Sequence, residues 1–378
     1  MKQTLTHVSL FLITFLTTTV AGMEWSHGSF IIFPNPEKPI DWLSWPVISE
    51  GLTYSICFLG VLTIHEFGHY FTARHYGINT SLPYYIPLWL GFTFSFGTMG
   101  AVIRIREKIH SRKEYFDVGI SGPLAGFVAG IIILIYGFLN LPDLSHLFFH
   151  NPDYARFGEH YANYVYADMQ YPVFKVGKNL LFLILESTLV EDPSIIPNGY
   201  EIIHYPIIFA GYLAMFFTAL NLLPIGQLDG GHITFGLFGY SRSRLISAWL
   251  FTGFVFYAGL GWVTPFLPID ELGYLIPINL LLYYVIFSRM FSSRRDIALL
   301  AVSVFSTQFL LSYIFPGIEG YSGWLVFCFL IGRFLGVYHP PALDQRPLSP
   351  LRKILGWLAL IVFILCFSPK PFIFEVPS

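Results

Sequence analysis

Charge is scarce in this sequence. Only 12% of its 378 residues are Asp, Glu, Lys or Arg, about half the share of a soluble domain. The 21 basic residues nearly cancel the 23 acidic ones, for a formal net charge of −2. Nothing in that balance suggests a nucleic-acid partner. Cysteine is almost missing: Cys57, Cys328 and Cys366 each lie inside an apolar stretch, and none forms a C-x-x-C pair. That excludes a disulfide framework and a cysteine metal site, and leaves three small buried hydrophobes. There is no evident internal repeat and no low-complexity tract. What the chain has in quantity is apolar sequence. Hydrophobic residues make up 54% of it, several of them in runs of about 20, the length that crosses a bilayer core as a helix. The chain reads as an all-α polytopic membrane protein lodged in a lipid bilayer.

Nine spans are expected, at 4–22, 48–73, 117–140, 203–222, 245–267, 272–289, 297–315, 321–338 and 351–368. Cytoplasmic loops are enriched in Lys and Arg, and here basic and acidic loops alternate. Lys2, then Arg74 to Lys113, then Arg242 and Arg244, then Arg289 to Arg295, then Arg346 to Lys353 mark one side. Glu24, Glu37 and Asp41, the acid-rich 141–202 loop with Asp168 and Glu201, Asp270, Glu271 and Glu319 mark the other. This places the N-terminus in the cytoplasm and the C-terminus outside. Leu82 to Ile103 is also apolar, but Pro83, Pro87, Gly91, Gly97 and Gly100 interrupt it. A crossing there would break the alternation, so residues 82–105 are expected to form a re-entrant or membrane-embedded hairpin, tolerated only where protein or a water-filled cavity covers it. The first span is a poor signal peptide, with one basic residue before it and no good cleavage site. No transit peptide is legible either, which points to a prokaryotic plasma membrane.

The second span ends in His65-Glu66-Phe67-Gly68-His69, the H-E-x-x-H pattern of zinc peptidases. Four residues apart on a helix, His65 and His69 share a face and can reach one ion. Glu66 is turned about 100° from His65, placed to approach a water rather than to ligate. Zinc brings the pKa of such a water to about 7, and Glu66 would take its proton and pass it to the leaving amine. The bland reading is a helix end whose histidines bond to their neighbours. Two His and a Glu inside an apolar helix make that expensive, since ionisable groups in spans are rare and usually functional.

A catalytic zinc needs a third protein ligand. The candidates on the same side are His75, His110, Asp117, Asp229 and His232. Asp229 stands out because it follows Asn221-Leu222-Leu223-Pro224-Ile225-Gly226-Gln227-Leu228 and precedes Gly230-Gly231. Pro224 and the glycines break the helix there and let backbone come close, although an Asp-Gly alone reads as a plain turn.

With these residues assembled, the chain resembles the site-2 protease family of intramembrane M50-type metalloproteases. The family pairs H-E-x-x-H with N-x-x-P-x-x-x-x-D-G on a later helix. His65, Glu66 and His69 match the first motif, and Asn221, Pro224, Asp229 and Gly230 the second; Ala73 and Gly77 match the extension of the first. The resemblance implies that His65, His69 and Asp229 hold one Zn2+ per chain and that Glu66 is the general base. Gly97-Thr98-Met99-Gly100-Ala101-Val102 and Gly226-Gln227-Leu228-Asp229-Gly230-Gly231 are similar to bacterial relatives of the plant chloroplast group called ethylene-dependent gravitropism-deficient and yellow-green. The catalytic core is expected at 48–240, after an N-terminal span and external loop at 1–47; the helices of 241–378 have no assigned role. The loop of about 60 residues from Leu141 to Ile203 is short for the PDZ domain that some members insert.

The expected substrate is a transmembrane protein, cut near the cytoplasmic side. Its scissile peptide must be unwound, and a strand edge does that by β-augmentation. Phe96 to Ile105 suits that role. Gly97 and Gly100 leave room for a second backbone, and Val102, Ile103 and Ile105 favour extended structure. Asn221, beside Pro224, could steady the substrate backbone or the oxyanion, or cap the broken helix. Gly119 to Gly126 reads as a small-residue face for helix packing. Two rivals remain. An inactive scaffold of the same fold is opposed by the intact Glu66. A metal or solute transporter predicts polar residues in several spans, and the later ones are mostly apolar. Substrate identity and oligomeric state are not legible.

Overall fold

A computed structural model describes residues 2–36, 38–167, 169 and 172–376. Glu37 and Asp168, counted above among the acidic loop residues, lie outside the described residues. The chain divides into two compact units. The first takes the residues up to Lys108, Ser121–Leu220 and the segment from Ile361; the second takes Ile109–Ile120 and Asn221–Leu360.

The first unit is built on two long helices, α1 (Lys2–His27) and α2 (Trp45–His75). They pack closely because each presents a glycine to the other. A Cβ on Gly22 would meet Tyr54 at 2.7 Å, and one on Gly51 would meet the Thr19 carbonyl at 2.5 Å. A buried bond between Thr18 Oγ1 and Ser55 Oγ, 2.6 Å, joins the pair lower down. Pro46 opens α2 in the first turn, where its missing N–H costs nothing. Gly77 closes it at φ +72°. Ile78 N donates to Ala73 O and Gly77 N to Arg74 O, both at 3.0 Å, the paired bonds of a Schellman stop. This gives Ala73 and Gly77 of the sequence motif a physical role as the helix terminator.

The chain then forms β1 (Tyr84–Leu88) and β2 (Gly97–Val102). They pair antiparallel, Tyr84 with Val102 and Leu88 with Gly97, with an irregularity between Tyr85 and Pro87. The interrupted apolar stretch is therefore a hairpin, as expected. Next, α3 (Arg112–Leu139) begins in the second unit and continues in the first. Within the first unit it packs on α7 (Pro206–Leu222) through glycines. A Cβ on Gly137 would lie 2.7 Å from Ile208, and one on Gly211 2.7 Å from Leu134. Between α3 and α7 run α4 (Leu144–His150), α5 (Tyr161–Val165), β3 (Val173–Val176) and α6 (Leu180–Leu189). β3 pairs antiparallel with β4 (Phe372–Glu375) near the C-terminus. This second small sheet departs from the all-α expectation; its strands are four residues each and separated by about half the chain, so no local pattern announces them.

The second unit holds α8 (Asp229–Phe238), α9 (Tyr240–Gly259), α10 (Ile269–Ile286), α11 (Arg294–Ile314), α12 (Trp324–Leu330) and most of α13 (Pro350–Cys366). Gln308 of α11 ties three of them: it accepts from Tyr283 of α10 at 2.9 Å and donates to the Phe256 carbonyl of α9 at 2.7 Å.

All nine expected spans overlap helical segments, the one at 245–267 only as far as Gly259, and nine crossings are not confirmed. Among the described residues five helices are long and apolar enough to cross a membrane: Gln3–His27, Trp45–His75, Arg112–Leu139, Ile269–Arg289 and Arg294–Ile314. The helices over 206–222 and 350–366 have 17 residues each, at the short end of what spans a core of about 30 Å. Trp324–Leu335 is shorter still, and α9 carries Arg242 and Arg244 in its first two turns.

Candidate metal centre

Helix α2 has its polar face inward. His65, Glu66 and His69 are buried, at 5%, 9% and 7% exposure, while Ile56, Ile64 and Phe71 face outward. A soluble helix does the reverse. The four-residue spacing brings the two imidazoles together, with His65 Nε2 and His69 Nε2 3.0 Å apart. Their rings meet edge to face, centroids 4.8 Å apart. Two ligands on a tetrahedral zinc with bonds of about 2.0–2.1 Å stand about 3.3 Å apart, so this pair fits one ion. Glu66 Oε1 lies 4.0 Å from His65 Nε2.

The floor beneath the pair is glycine. A Cβ on Gly122 of α3 would lie 2.2 Å from His69 Nε2, and one on Gly126 would lie 3.2 Å from His65. In the other direction, a Cβ on Gly68 would sit 2.7 Å from the Ser121 carbonyl. The two backbones therefore touch beside the imidazoles, and the space a side chain would take is filled by the rings. Sequence reasoning assigned Gly119 to Gly126 to general helix packing and missed this. The signal was present: Gly122 and Gly126 repeat the i, i+4 spacing of His65 and His69.

In the second unit the chain turns sharply from Asn221 to Asp229. Pro224 is buried within the turn, and its carbonyl accepts from Ser247 Oγ at 3.2 Å. Gly226 lies at φ +57°, the left-handed region that a side chain resists. Gly230 and Gly231 pack directly on the carbonyls of Leu222 and Gly226, so the start of α8 folds back on the end of the preceding helix. Asp229 is the first residue of α8. Its carbonyl and the His232 side chain flank Gly119, where a Cβ would meet His232 Cβ at 2.5 Å.

Three of the four other third-ligand candidates make visible contacts. Asp117 is clamped by Arg352, Nε to Oδ1 and Nη2 to Oδ2 both 2.8 Å, a bidentate pair. His232 Nδ1 lies 2.7 Å from His339 Nε2. Burial and the adjacent His232 push the His339 imidazole down to about 3, so it stays neutral. The His75 ring rests on Tyr76.

Of the candidate substrate residues, Gly97 (φ +81°) lies against α1, its carbonyl accepting from Thr17 Oγ1 at 2.7 Å. A Cβ there would collide with the Thr18 backbone. Gly100 (φ +104°) has open space beside it. Asn221 and Pro224 stand at the start of the turn that leads to Asp229.

Comparison with known proteins follows this geometry. The sequence profile of peptidase family M50 matches residues 53–260. The chain is 29% identical over 202 residues to the probable zinc metalloprotease EGY2, chloroplastic, of Oryza sativa subsp. indica, covering 53% of this chain and 32% of that protein. It is 28% identical over 215 residues to the probable zinc metalloprotease EGY1, chloroplastic, of Arabidopsis thaliana, covering 54% and 33%. EGY3 of Oryza sativa subsp. indica, also named a probable zinc metalloprotease, is 24% identical over 207 residues. The matched region thus spans about a third of the length of these curated relatives. No solved structure matches the chain.

Proposed function

Because this chain belongs to peptidase family M50, whose profile covers more than half of it, we propose that it is an intramembrane zinc endopeptidase. Its substrate class is transmembrane protein, cut near the cytoplasmic side. The observation that carries the reading is the buried imidazole pair on α2, 3.0 Å apart and seated on glycine. His65 and His69 are two ligands, and Asp229 is the third on the strength of its place in the second motif. The ion, when bound, supplies Lewis acidity that brings a water's pKa towards about 7.

The remaining work falls to side chains. Glu66 takes the water's proton as its hydroxyl joins the scissile carbonyl carbon, and returns that proton to the amide nitrogen as the C–N bond breaks. Asn221 steadies the substrate backbone or the developing oxyanion. The hairpin presents the substrate as an added strand, with Gly100 leaving room for it, and Gly97 and Pro224 shape the surrounding backbone. Residues 48–240 form the catalytic core, which carries no PDZ domain. The N-terminus lies on the cytoplasmic side.

The test uses detergent-purified full chain. Zinc is counted by elemental mass spectrometry in the parent, His69→Ala and Asp229→Ala, and cleavage of a transmembrane test substrate is followed in the parent and Glu66→Gln. Each ligand variant should lose one zinc per chain, and Glu66→Gln should keep zinc but lose cleavage. Full zinc retention in Asp229→Ala removes it as third ligand. Cleavage undiminished in Glu66→Gln defeats the mechanism.

A further inference from the structure

Four histidines and two glutamates gather at the far end of α2, about 22 Å along the helix axis from His65 at 1.5 Å per residue. They come from the last residue of α1 (His27), the second turn of α2 (Glu50), α4 (His146 and His150) and the stretch before α7 (Glu201 and His204). Hydrogen bonding accounts for some of them. His204 Nδ1 donates to the Ser26 carbonyl at 2.6 Å, and its Nε2 lies 3.2 Å from Glu201 Oε2. His146 Nε2 donates to the His204 carbonyl at 2.7 Å. Glu201 also accepts from Tyr166.

Of the other three, His27 is held by the Met23 carbonyl, but Glu50 and His150 are left with buried polar atoms. The His150 side chain is 1% exposed, yet neither of its ring nitrogens has a hydrogen-bond partner among the described residues. Glu50 Oε2 is buried and unpartnered in the same way. His150 Nε2 comes within 3.2 Å of Glu50 Oε1, a contact without hydrogen-bond geometry. His27 Nδ1 stands 3.6 Å from Glu50 Oε2 and 3.2 Å from the Met23 carbonyl. One ligand atom from each of His27, Glu50 and His150 falls within 4.8 Å of the others. Buried polar atoms normally find partners, and three left over at one point, one on Glu50 of α2 and two on His150 of α4, require a common one beside His27.

We propose that His27, Glu50 and His150 form a second metal site, for a divalent transition ion of the Zn2+ class. Two imidazoles and one carboxylate suit such an ion. Ca2+ and Mg2+ prefer shells made of oxygen. Glu50 and His146 also line an open cavity of about 210 Å³, together with Ser49, Asn140 and Tyr205. It gives the ion an entry path past Glu50. The site staples the end of α1, the start of α2 and α4, segments far apart in sequence. It needs no residue of the H-E-x-x-H pair and stands whether or not that pair binds zinc.

The experiment strips the full-length chain with chelator, reloads it with Zn2+ alone and removes the excess. Zinc per chain and the zinc X-ray absorption spectrum are then recorded. The parent should hold two zinc ions and His69→Ala one, with imidazole scattering in the residual spectrum. Adding His150→Ala, or the near-isosteric Glu50→Gln, to His69→Ala should remove that last ion. Zinc should also raise the thermal midpoint of His69→Ala but not of the double variants. A His69→Ala chain that holds no zinc overturns the second site and leaves the first intact. So does a residual ion that both double variants retain. A parent whose single zinc survives His69→Ala but not His150→Ala supports the second site and defeats the first. Should the double variants fail to fold, the His69→Ala spectrum decides: an ion without imidazole neighbours overturns the proposal.

Discussion

The two ends of α2 solve the same problem by different means. Both hold titratable side chains out of water within one helix. At the His65 end, both imidazoles belong to α2 itself and rest on a floor of backbone, Gly122 and Gly126 of α3. Their separation is fixed by helix geometry, and only the floor has to be supplied from elsewhere. At the Glu50 end, each side chain comes from a different segment, and the positions are set by a web of bonds to carbonyls through His146 and His204. The first arrangement is rigid because it is local. The second is assembled, and its geometry depends on several distant segments docking together.

The comparison can be broken in four places. The largest effect belongs to Glu66→Gln, which should lower the cleavage rate by roughly 10²–10⁴-fold in a single-turnover assay while zinc content is unchanged. A loss of zinc instead would make Glu66 a ligand. Next is the glycine floor. Gly122→Ala puts a methyl 2.2 Å from His69 Nε2 and should cost about 1–3 kcal/mol as overpacking, roughly 5- to 150-fold in zinc affinity by competition with a chelating dye. Gly126→Ala meets His65 only at 3.2 Å and should cost less than about 1 kcal/mol. Equal effects at both would show that the floor does not set the ring positions.

A smaller contrast lies in β2. Gly97→Ala strikes the α1 backbone and should lower the thermal midpoint. Gly100→Ala enters open space and should cost only the strain of its positive φ, about 1 kcal/mol. If the hairpin receives substrate, Gly100→Val should raise KM with little change in kcat. The smallest effect is expected from Glu50→Gln, which should leave cleavage at the parent rate in zinc-replete buffer. A marked loss would mean that the two ends of α2 are coupled.

The same contrast explains what could be read from the sequence. H-E-x-x-H is legible because a helix converts a spacing of four into proximity. The 82–105 hairpin is legible because prolines and glycines rule out a helix there. Asp229 stands out through the helix-breaking Pro224 and Gly226 and through a motif, both local. The His27, Glu50 and His150 cluster is invisible in one dimension, since His27 and His150 are more than a hundred residues apart and no period links them. The count of nine spans finds only partial support for a related reason. Hydropathy alone treats the short helix over 206–222 and the broken one near 324–335 as it treats α2, yet α2 runs for 31 residues and those do not. Gly122 and Gly126 were visible as small residues, but their purpose depends on which helix lies against them.

The small sheet of β3 and β4 bears on how the chain is made. Lys175 and Glu375 meet diagonally across it at 2.7 Å, and Tyr200 donates to the same carboxylate at 2.9 Å. Tyr212 bonds the carbonyls of both Gly177 and Pro371 at 2.9 Å. Yet β4 leaves the ribosome about 200 residues after β3, a delay of roughly 10–40 s at 5–20 residues per second. Throughout that interval β3 has no partner strand, and the apolar wall that Phe372 later covers beside Phe174 and Phe216 stays bare. The first unit is begun by the residues up to Lys108 and completed by the segment from Ile361. Biogenesis of this protein therefore passes through a long-lived open form, and a ribosome stalled before residue 372 would strand the chain in it.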